Sequence, residues 1–558
     1  MKNFAQQIPH NDYTCEWMRP VREAAIQAIG TPVPSFDEEK FLLFGKTGSR
    51  VEYEWDYFAI RRQFNLFVAM ALWEEDLVWI RETERILEAL LELPTWALPA
   101  HCALDDKKSW PEKLDLFACE TAQAISETMV LLGDRLSPAL KEKLRQALVV
   151  RTVEPYLKSR RKWGKCNWSA VCAGSLIQVF ISQFPDQLEQ ALPTLLDALE
   201  DFLESYRSDG CCLEGPLYWE YGFGYFVYTA ERLRSFTEGK IDLFANEKVR
   251  KIAKFGFDMF LGGADVIPFA DAPHSLKVHI GLMHFLGKEY HLGGFPHECT
   301  CMFDEDCRYR FAPMIRDLYW QDPQMDTTRE IPEENSDYPE AGWFIRRSSG
   351  GTLVCKGGHN GEPHNHNDVG SFVLYDDGFI LDDPGWPEYD KGYCSERRYE
   401  YICASSAGHS VPMINGCTQS EGADHRAEVL CRTPKEICMD LSKAYDCSGL
   451  RFLRTYRIAE DGMTMTDSFH GAQTVTERFV TRQLPVIEEK EVRIGAWQIS
   501  VDVPATIHCS SASFSPRFSG LDYRNAGKEP METIYLVDFE LTKPDGTVQF
   551  QMKRRAQA

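Results

Sequence analysis

The sequence contains no run of about 18 uninterrupted apolar residues, which is the length that a membrane-spanning helix needs. Its N-terminus, MKNFAQQIPHNDYTCEWMRP, also lacks the basic start, the apolar middle and the small-residue cleavage site of a secretion signal. These two absences predict a cytoplasmic protein that does not bind a membrane.

The 18 cysteines include no CxxC pair of the kind that forms a zinc ribbon. A disulfide framework is not expected either, because thiols in the cytoplasm are kept reduced. We therefore expect reduced and mostly buried cysteines.

The chain has no excess of basic residues: 84 acidic side chains outnumber 61 basic ones, for a formal charge of -23. Nucleic acid is an unsuitable partner for such a chain, since its binding requires Lys and Arg to neutralise phosphates. An anionic ligand would need a local basic pocket. The stretch KSRRKWGKCNW (158–168) is a candidate, although a solvated helix end explains its cations equally well.

The period of the apolar residues divides the chain into two parts. From about residue 60 to 320 they recur every three to four positions, which predicts eight or more amphipathic helices in a toroid or an irregular bundle. Ser137-Pro138 marks a helix start, and Gly262-Gly263 is interpreted as a helix stop. After about residue 335 the residues alternate, and Asp-Gly turns predict an antiparallel β domain; residues 327–340 form the natural linker.

The stretch GEPHNHNDVGSFVLYDDGFILDDPG (361–385) places His364, His366 and Asp368 two residues apart. On an extended strand these side chains would share one face, where imidazoles could bind a metal or carry protons. A polar loop leading into a strand is the alternative. His409 could complete a His/His/carboxylate set of the kind that zinc favours.

The carboxylate of that set stays open at this point. A two-residue turn at Asp377-Gly378 would place Tyr389, rather than Asp383, opposite His366. Asp383 could then bind beside His366 only if the segment 361–370 folds back.

Several motifs in order resemble those of the heparinase II/III-like polysaccharide lyases. They are HNHNDVGSF with the following DPG (383–385), WPEYDKGYCSERRY, AGHS (407–410), KCNWSAVCAGSL and SDGCCLEGPLYWEYGFGYF. The resemblance covers most of residues 60–420, and Ser410 departs from it where the family often has Asn. It implies a multidomain α+β protein with an N-terminal (α/α) toroid (1–330) followed by an antiparallel β-sandwich (331–558).

The resemblance also implies β-elimination on chains that contain uronic acid, such as heparin, heparan or alginate. In this reaction the proton on C5 of the uronate is removed and the oxygen on C4 departs. The family pattern assigns neutralisation of the uronate carboxylate to Asn167, with His364 nearby, and proton transfer to a tyrosine and a histidine. Tyr218 occupies the family tyrosine position, Tyr221 lies one helical turn further on, and Glu214 either orients a partner or caps the helix.

The remaining site residues concern the substrate and a metal. Trp168, Arg161 and Lys165 are candidates for binding an anionic sugar, and Tyr389, Tyr393 and Arg398 could close the cleft over it; packed aromatics in a solvated loop are the alternative. The resemblance assigns zinc to His366, Asp383 and His409, where the ion would organise the loop that carries His364. Not every family member holds this metal.

The predicted function is therefore a lyase that acts on anionic, uronate-containing oligosaccharides or polysaccharides, with exolytic action favoured by the cytoplasmic location. One rival is a glycoside hydrolase on the same toroid that uses Asp271 and Glu214 as its two carboxylates. The other is a carbohydrate-binding protein without catalytic activity. The sequence does not reveal which uronate is bound, its sulfation, or whether the chain forms a homo-oligomer.

Overall fold

The computed structural model of the protein describes residues 8–326, 334–517 and 531–555. Its α-helices are α1 (Asp12–Ala28), α2 (Glu38–Thr47), α3 (Val51–Trp73), α4 (Leu77–Glu92), α5 (Leu116–Leu132), α6 (Pro138–Leu148), α7 (Glu154–Ser159), α8 (Asn167–Gln183), α9 (Pro185–Ser205), α10 (Pro216–Tyr218), α11 (Gly224–Phe236), α12 (Glu247–Asp258), α13 (Ile280–Tyr290) and α14 (Phe311–Trp320). Within the described ranges, every α-helix lies in the N-terminal part of the chain, as the apolar period predicts.

The helices form an inner and an outer layer. Helices α5 and α8 are buried on all sides, whereas α4 and α9 bury one apolar stripe and expose the opposite face. Inner helices pack in succession, α3 on α5, α5 on α8, α8 on α11 and α11 on α14, and α14 returns to α5. This arrangement is the toroid expected from the sequence, and none of its described helices is long and apolar enough to cross a membrane.

Local sequence explains where helices begin. The hydroxyl of Ser137 accepts a hydrogen bond from the backbone N–H of Leu140, and Pro138 occupies the first helical position of α6. Helix α10 continues through a π-helical turn, Trp219–Phe223, into α11. Such turns often occur at functional sites, and this one carries Tyr221.

The remaining described part of the chain is built mainly of strands. They are β1 (Phe260–Gly262), β2 (Asp265–Val266), β3 (Ser336–Tyr338), β4 (Trp343–Ser348), β5 (Gly351–Lys356), β6 (His359–Asn360), β7 (Phe372–Tyr375), β8 (Phe379–Leu381), β9 (Met413–Ile414), β10 (Gly422–Arg426), β11 (Glu428–Arg432), β12 (Glu436–Asp440), β13 (Arg451–Ala459), β14 (Gly462–His470), β15 (Val475–Thr481), β16 (Val486–Glu488), β17 (Glu491–Ile494), β18 (Trp497–Val501), β19 (Ala505–Phe514), β20 (Glu532–Leu541) and β21 (Gly546–Arg554).

Three antiparallel sheets enclose the second core. The largest has the order β11-β12-β13-β14-β21-β18-β17-β16, and the others are β3-β4-β5-β7-β8 and β19-β20-β15-β9. Phe479 contacts Phe372 and Phe550 in edge-to-face geometry, so its ring joins one residue from each of the other two sheets. The sheets therefore pack as the expected sandwich.

One local expectation is wrong, one alternative that the sequence left open is decided, and the predicted domain boundary falls outside the described residues. Gly262-Gly263 does not end a helix: α12 ends at Asp258, and these glycines belong to the β1–β2 hairpin. The segment 361–370 is not extended but turns back on itself, and His364 has a left-handed φ of 56°. The predicted boundary at 330/331, with the first part of the linker, falls in residues 327–333 and so lies outside the described residues.

Candidate active site

A cavity of about 680 Å³ opens where the toroid meets the sandwich. Its walls come from helices α3, α5, α8 and α11, from the segments 273–279 and 301–310, and from sandwich loops that carry His364, Trp386, Tyr389 and Arg517. Residues of both halves therefore face one volume that is large enough for sugar units.

Asn167 and Trp168 enter the cavity from the start of α8. Asn167 is the first helical residue and is 9% exposed, with its Cβ packed beside Gly222. Its amide thus lies at the positive end of a 17-residue helix, where an anionic group is favoured. Trp168 packs edge-on against His101 on the same wall.

Tyr218 and His364 meet at the junction of the two halves. Their ring centroids are 4.4 Å apart, and the Tyr218 hydroxyl lies 3.2 Å from the hydroxyl of Tyr389. Burial and the nearby charge of Asp271 raise the pKa of Tyr218 above its usual value, so its phenol stays protonated at neutral pH. A protonated phenol at this position can donate a proton to a leaving oxygen.

His364 is oriented by a carboxylate of the toroid. Its Nδ1 lies 2.7 Å from Oδ2 of Asp271, which is fully buried. Burial alone would raise the pKa of Asp271, but hydrogen bonds from His364 and His366 and the charge of Arg398 hold it well below its usual value. Because an ionised carboxylate only accepts, Nδ1 of His364 donates, and Nε2 is the atom left to exchange a proton in the cavity.

Tyr221 and Glu214 also lie at this junction. The Tyr221 hydroxyl donates to Glu120 at 2.6 Å beneath the guanidinium of Arg310, and burial raises its pKa well above the usual value. Its proton is thus already committed to a buried carboxylate. Glu214 lies 4.0 Å from Nε2 of His364, and burial raises its pKa. It is near enough to influence the imidazole without bonding to it.

The sandwich residues predicted to bind sugar have different positions. Tyr389 lines the cavity, whereas the hydroxyl of Tyr393 and the guanidinium of Arg398 turn toward Asp271, Arg398 at 2.9 Å. Arg161 and Lys165 are exposed and lie outside the cavity lining, and Lys165 pairs with a surface glutamate at 2.7 Å. The structure does not bring these two cations together with the rest of the site.

Several cations of the cavity are absent from the sequence-based set. The lining includes Arg517, whose guanidinium lies 4.0 Å from the centre of the Tyr389 ring, as well as Arg310 and His279. Each comes from a different segment, so no local cluster of charge could have identified them. Asp271 was considered only as a hydrolase carboxylate, and no motif marks its contact with His364.

The charge of His279 predicts a pH-dependent stability. Burial alone would lower its pKa, but the carboxylates of Asp317, 2.7 Å from Nδ1, and Glu220 raise it to about 9. Because this value exceeds the ordinary 6.5, the stabilisation is complete below pH 6.5 and is lost as the pH rises through about 9. Its size is on the order of 3 kcal/mol.

We expect the melting temperature of the wild type to fall between pH 6.5 and 9, and the fall to be shallower in a His279→Gln variant. Thermal unfolding over this pH range checks the prediction. Parallel curves for the two proteins would contradict it.

Behind His364 lies a buried cluster of four side chains, His366, Asp368, Asp383 and His409, which we call the His/Asp cluster. Ligand atoms of His366, Asp368 and His409 lie within 4.8 Å of one another, and Nδ1 of His409 lies 3.0 Å from Oδ2 of Asp383. The fold-back of 361–370 thus brings Asp383 to the same place as Asp368. The Oδ1 atom of Asp368 is bound by Lys356 at 2.6 Å.

The donor set of the His/Asp cluster fits a divalent metal. Among the described residues, Nδ1 of His366 and Oδ2 of Asp368 are buried and have no hydrogen-bond partner. The other nitrogen of His366 bonds to Asp271, and that of His409 bonds to the carbonyl of Cys403 at 2.8 Å. Metal-binding histidines are usually held in this way by a partner on the second nitrogen.

Comparison with known proteins supports the sequence resemblance. Residues 330–513 match the family described as Heparinase II/III-like, C-terminal. Similar solved structures include a heparinase III gene product with methylated lysines (12% identity, TM-score 0.64, 99% of this chain and 85% of that chain). Another is the heparan sulfate lyase HepC of Pedobacter heparinus (14% identity, TM-score 0.60, 100% of this chain and 85% of that chain). A third is the chondroitin AC lyase of Streptomyces coelicolor A3 in complex with chondroitin sulphate (10% identity, TM-score 0.57, 98% of this chain and 79% of that chain).

At these identities the structural likeness establishes the fold of the whole chain, and the predicted toroid followed by a sandwich is confirmed. None of the curated proteins matches the sequence.

Proposed function

We propose that the protein is a polysaccharide lyase, because residues 330–513 match the family described as Heparinase II/III-like, C-terminal, and the chain has the fold of heparinase III. Its substrates are glycosaminoglycan-type chains that contain uronic acid, and it cleaves them by β-elimination. The observation that carries the proposal is the meeting of Asn167, Tyr218 and His364 on one cavity between the two halves.

The geometry gives each of these side chains a step in the reaction. The Asn167 amide and the start of α8 neutralise the uronate carboxylate, which makes the C5 proton more acidic. Nε2 of His364 takes this proton, while Nδ1 donates to Asp271. The buried Tyr218 phenol then gives its proton to the departing O4. The bond between C4 and O4 breaks, and a double bond between C4 and C5 remains.

A glycosidase mechanism finds less support. It requires one carboxylic acid and one carboxylate on opposite sides of the scissile bond. Asp271 is fully buried, does not line the cavity and accepts hydrogen bonds from the sandwich half, so it cannot face a sugar. The hydrolase pair of Asp271 and Glu214 is therefore the weaker hypothesis.

We also propose exolytic action on imported oligosaccharides. This preference follows from the cytoplasmic location, which stays a prediction from the sequence. Trp168 and Tyr389 offer aromatic faces for stacking on sugar rings, and Arg517 supplies a cation beside Tyr389.

Ultraviolet absorbance of the new conjugated double bond tests the proposed function. The protein is incubated with heparin, heparan, chondroitin, hyaluronan and alginate oligosaccharides of defined length. A rise in absorbance on at least one substrate supports elimination, and disaccharides appearing from the first turnovers support exolytic action. A flat trace on the whole panel, with sugar binding still measurable, would favour the binding-protein alternative.

For the metal, we propose zinc at the His/Asp cluster, held by His366 and His409 with Asp383 or Asp368. When bound, the ion would organise the loop that carries His364. We expect zinc added to metal-free protein to raise its melting temperature. At a free zinc concentration of one hundred times Kd, binding should increase the free energy of unfolding by about 2.7 kcal/mol. His409→Ala should abolish the rise, and His425→Ala, which removes a histidine paired with Asp446, should preserve it. An equal rise in both variants would place zinc elsewhere.

A further inference from the structure

Asp271 is a fully buried carboxylate of the toroid that receives hydrogen bonds only from the sandwich half among the described residues. Its five donors are Nδ1 of His364 (2.7 Å), Nε2 of His366 (3.2 Å), the guanidinium of Arg398 (2.9 Å) and the hydroxyls of Tyr389 and Tyr393. We call these six residues the Asp271 network. A carboxylate offers about four acceptor positions, so this one is used to its full capacity.

The two oxygens of Asp271 accept hydrogen bonds from different parts of the site. Oδ2 accepts from Arg398 and from His364 and Tyr389, the two members of the network that line the cavity. Oδ1 accepts from His366, whose other nitrogen faces the His/Asp cluster. One side chain thus connects the cavity to the cluster behind it.

The network also fixes which nitrogen of each imidazole is protonated. A carboxylate accepts, so Nδ1 of His364 and Nε2 of His366 must both donate to it. Nε2 of His364 is then presented to the cavity, and Nδ1 of His366 to the cluster. Without Asp271, either imidazole could adopt the other tautomer or turn its ring.

His364 lies in an unfavourable backbone conformation that the network supports. Its φ of 56° is in the left-handed region, which a residue with a Cβ rarely adopts. Such a conformation persists when surrounding contacts determine it. The contact to Asp271 and the ring packing on Tyr218 are those contacts.

We propose that Asp271 is a positioning residue: it orients His364 toward the cavity and His366 toward the His/Asp cluster, and it holds the sandwich loop 361–370 against the toroid. Its effect on turnover rests on the proposed lyase function. Its effect on the loop does not.

An ordinary contact between the two halves is the alternative, and the chain offers a matched control for it. Asp258 of α12 is a buried toroid carboxylate that accepts a hydrogen bond from the sandwich residue Tyr338 at 2.7 Å. Its carboxylate also pairs with Lys254 of the same helix, and it does not line the cavity. Asp258→Asn therefore reproduces the loss of an interface carboxylate without disturbing the Asp271 network.

The test compares Asp271→Asn with Asp258→Asn in the full-length protein. Two quantities are measured: kcat and KM on the best substrate of the oligosaccharide panel, and hydrogen exchange of backbone amides. We expect Asp271→Asn to lower kcat about 10²-fold with little change in KM. Exchange should become faster in 361–370 and stay unchanged in α5 and α8. Asp258→Asn should leave kcat and the exchange of 361–370 as in the wild type.

Three results would overturn the proposal: an unchanged kcat in Asp271→Asn, equal losses in both variants, or faster exchange spread over the whole chain. If Asp271→Asn does not fold, Asp271→Ser, which keeps one acceptor oxygen, is measured in the same way. If the wild type shows no elimination on any substrate, the proposed function fails, and hydrogen exchange alone decides the role of Asp271.

Discussion

Replacement of His364 by alanine should abolish elimination, with kcat lowered about 10³-fold. The reason is geometric: this imidazole is held by Asp271 on one side and presents its other nitrogen to the cavity beside Tyr218. Binding of the sugar should change little, because the residues proposed to neutralise its carboxylate are in the toroid. The loss should therefore fall on kcat rather than on the dissociation constant.

Kinetics on the best substrate and calorimetric titration of the same oligosaccharide check this prediction. Added imidazole should restore part of the turnover of His364→Ala, because it fits the space left by the side chain and carries the proton. His425→Ala serves as the control, since His425 pairs with Asp446 outside the cavity. A variant that keeps more than a tenth of the wild-type kcat would contradict the role of His364.

Tyr218→Phe should lower kcat about 10²- to 10³-fold. The substitution removes only the hydroxyl, so the packing of the ring on His364 remains. It also removes the contact with the hydroxyl of Tyr389, at a cost of about 1 kcal/mol in stability. Burial keeps this phenol protonated at neutral pH, which makes it the proton donor to O4.

Substrates with different leaving groups at C4 test more directly whether Tyr218 is the proton donor. A substrate whose C4 substituent departs without protonation, such as a fluoride, should be eliminated by Tyr218→Phe and by the wild type at similar rates. Tyr290→Phe is the control, because its hydroxyl donates to the carbonyl of Phe244 away from the cavity. Equal loss on the fluoride and on the natural linkage would show that Tyr218 does not act as the acid.

The helices and strands were predictable because their signals are local. The three- and four-residue period of 60–320 and the alternation after 335 each report on neighbours along the chain. Helices α4 to α14 lie within the first range and strands β3 to β21 within the second. The helix stop predicted at Gly262-Gly263 was wrong because it also rested on a local signal. A glycine pair favours a helix stop and a hairpin turn equally, and only the pairing of Phe260 with Val266 decides between them.

Much of the site could be placed from motifs, since Asn167, Tyr218, His364 and Tyr389 all line the cavity. The fold-back of 361–370 was open, because it depends on contacts with residues far along the chain. Asp271 is 93 residues from His364 and 127 from Arg398. No periodicity or spacing in the sequence predicts this contact, because Asp271 meets His364 and Arg398 only when the sandwich packs on the toroid.

The cations of the cavity are a second feature that the sequence did not predict. Arg161 and Lys165 form a visible basic run, yet they lie on the surface outside the cavity lining, whereas Arg310 and Arg517 come from separate segments and meet in the cavity. Clustering along the sequence measures local charge density. The field inside a cavity depends on which segments the fold brings together.

We propose that the chain breaks a glycosidic linkage by elimination rather than by hydrolysis. Mass spectrometry of products formed in water enriched in heavy oxygen tests it most directly. Elimination predicts an unsaturated product whose mass is lower by one water than that of its saturated counterpart and which gains no heavy oxygen from the cleavage. This product should form readily with the wild type and far more slowly with Tyr218→Phe. Two saturated products and no unsaturated one, with heavy oxygen at the new reducing end, would contradict the account and establish hydrolysis.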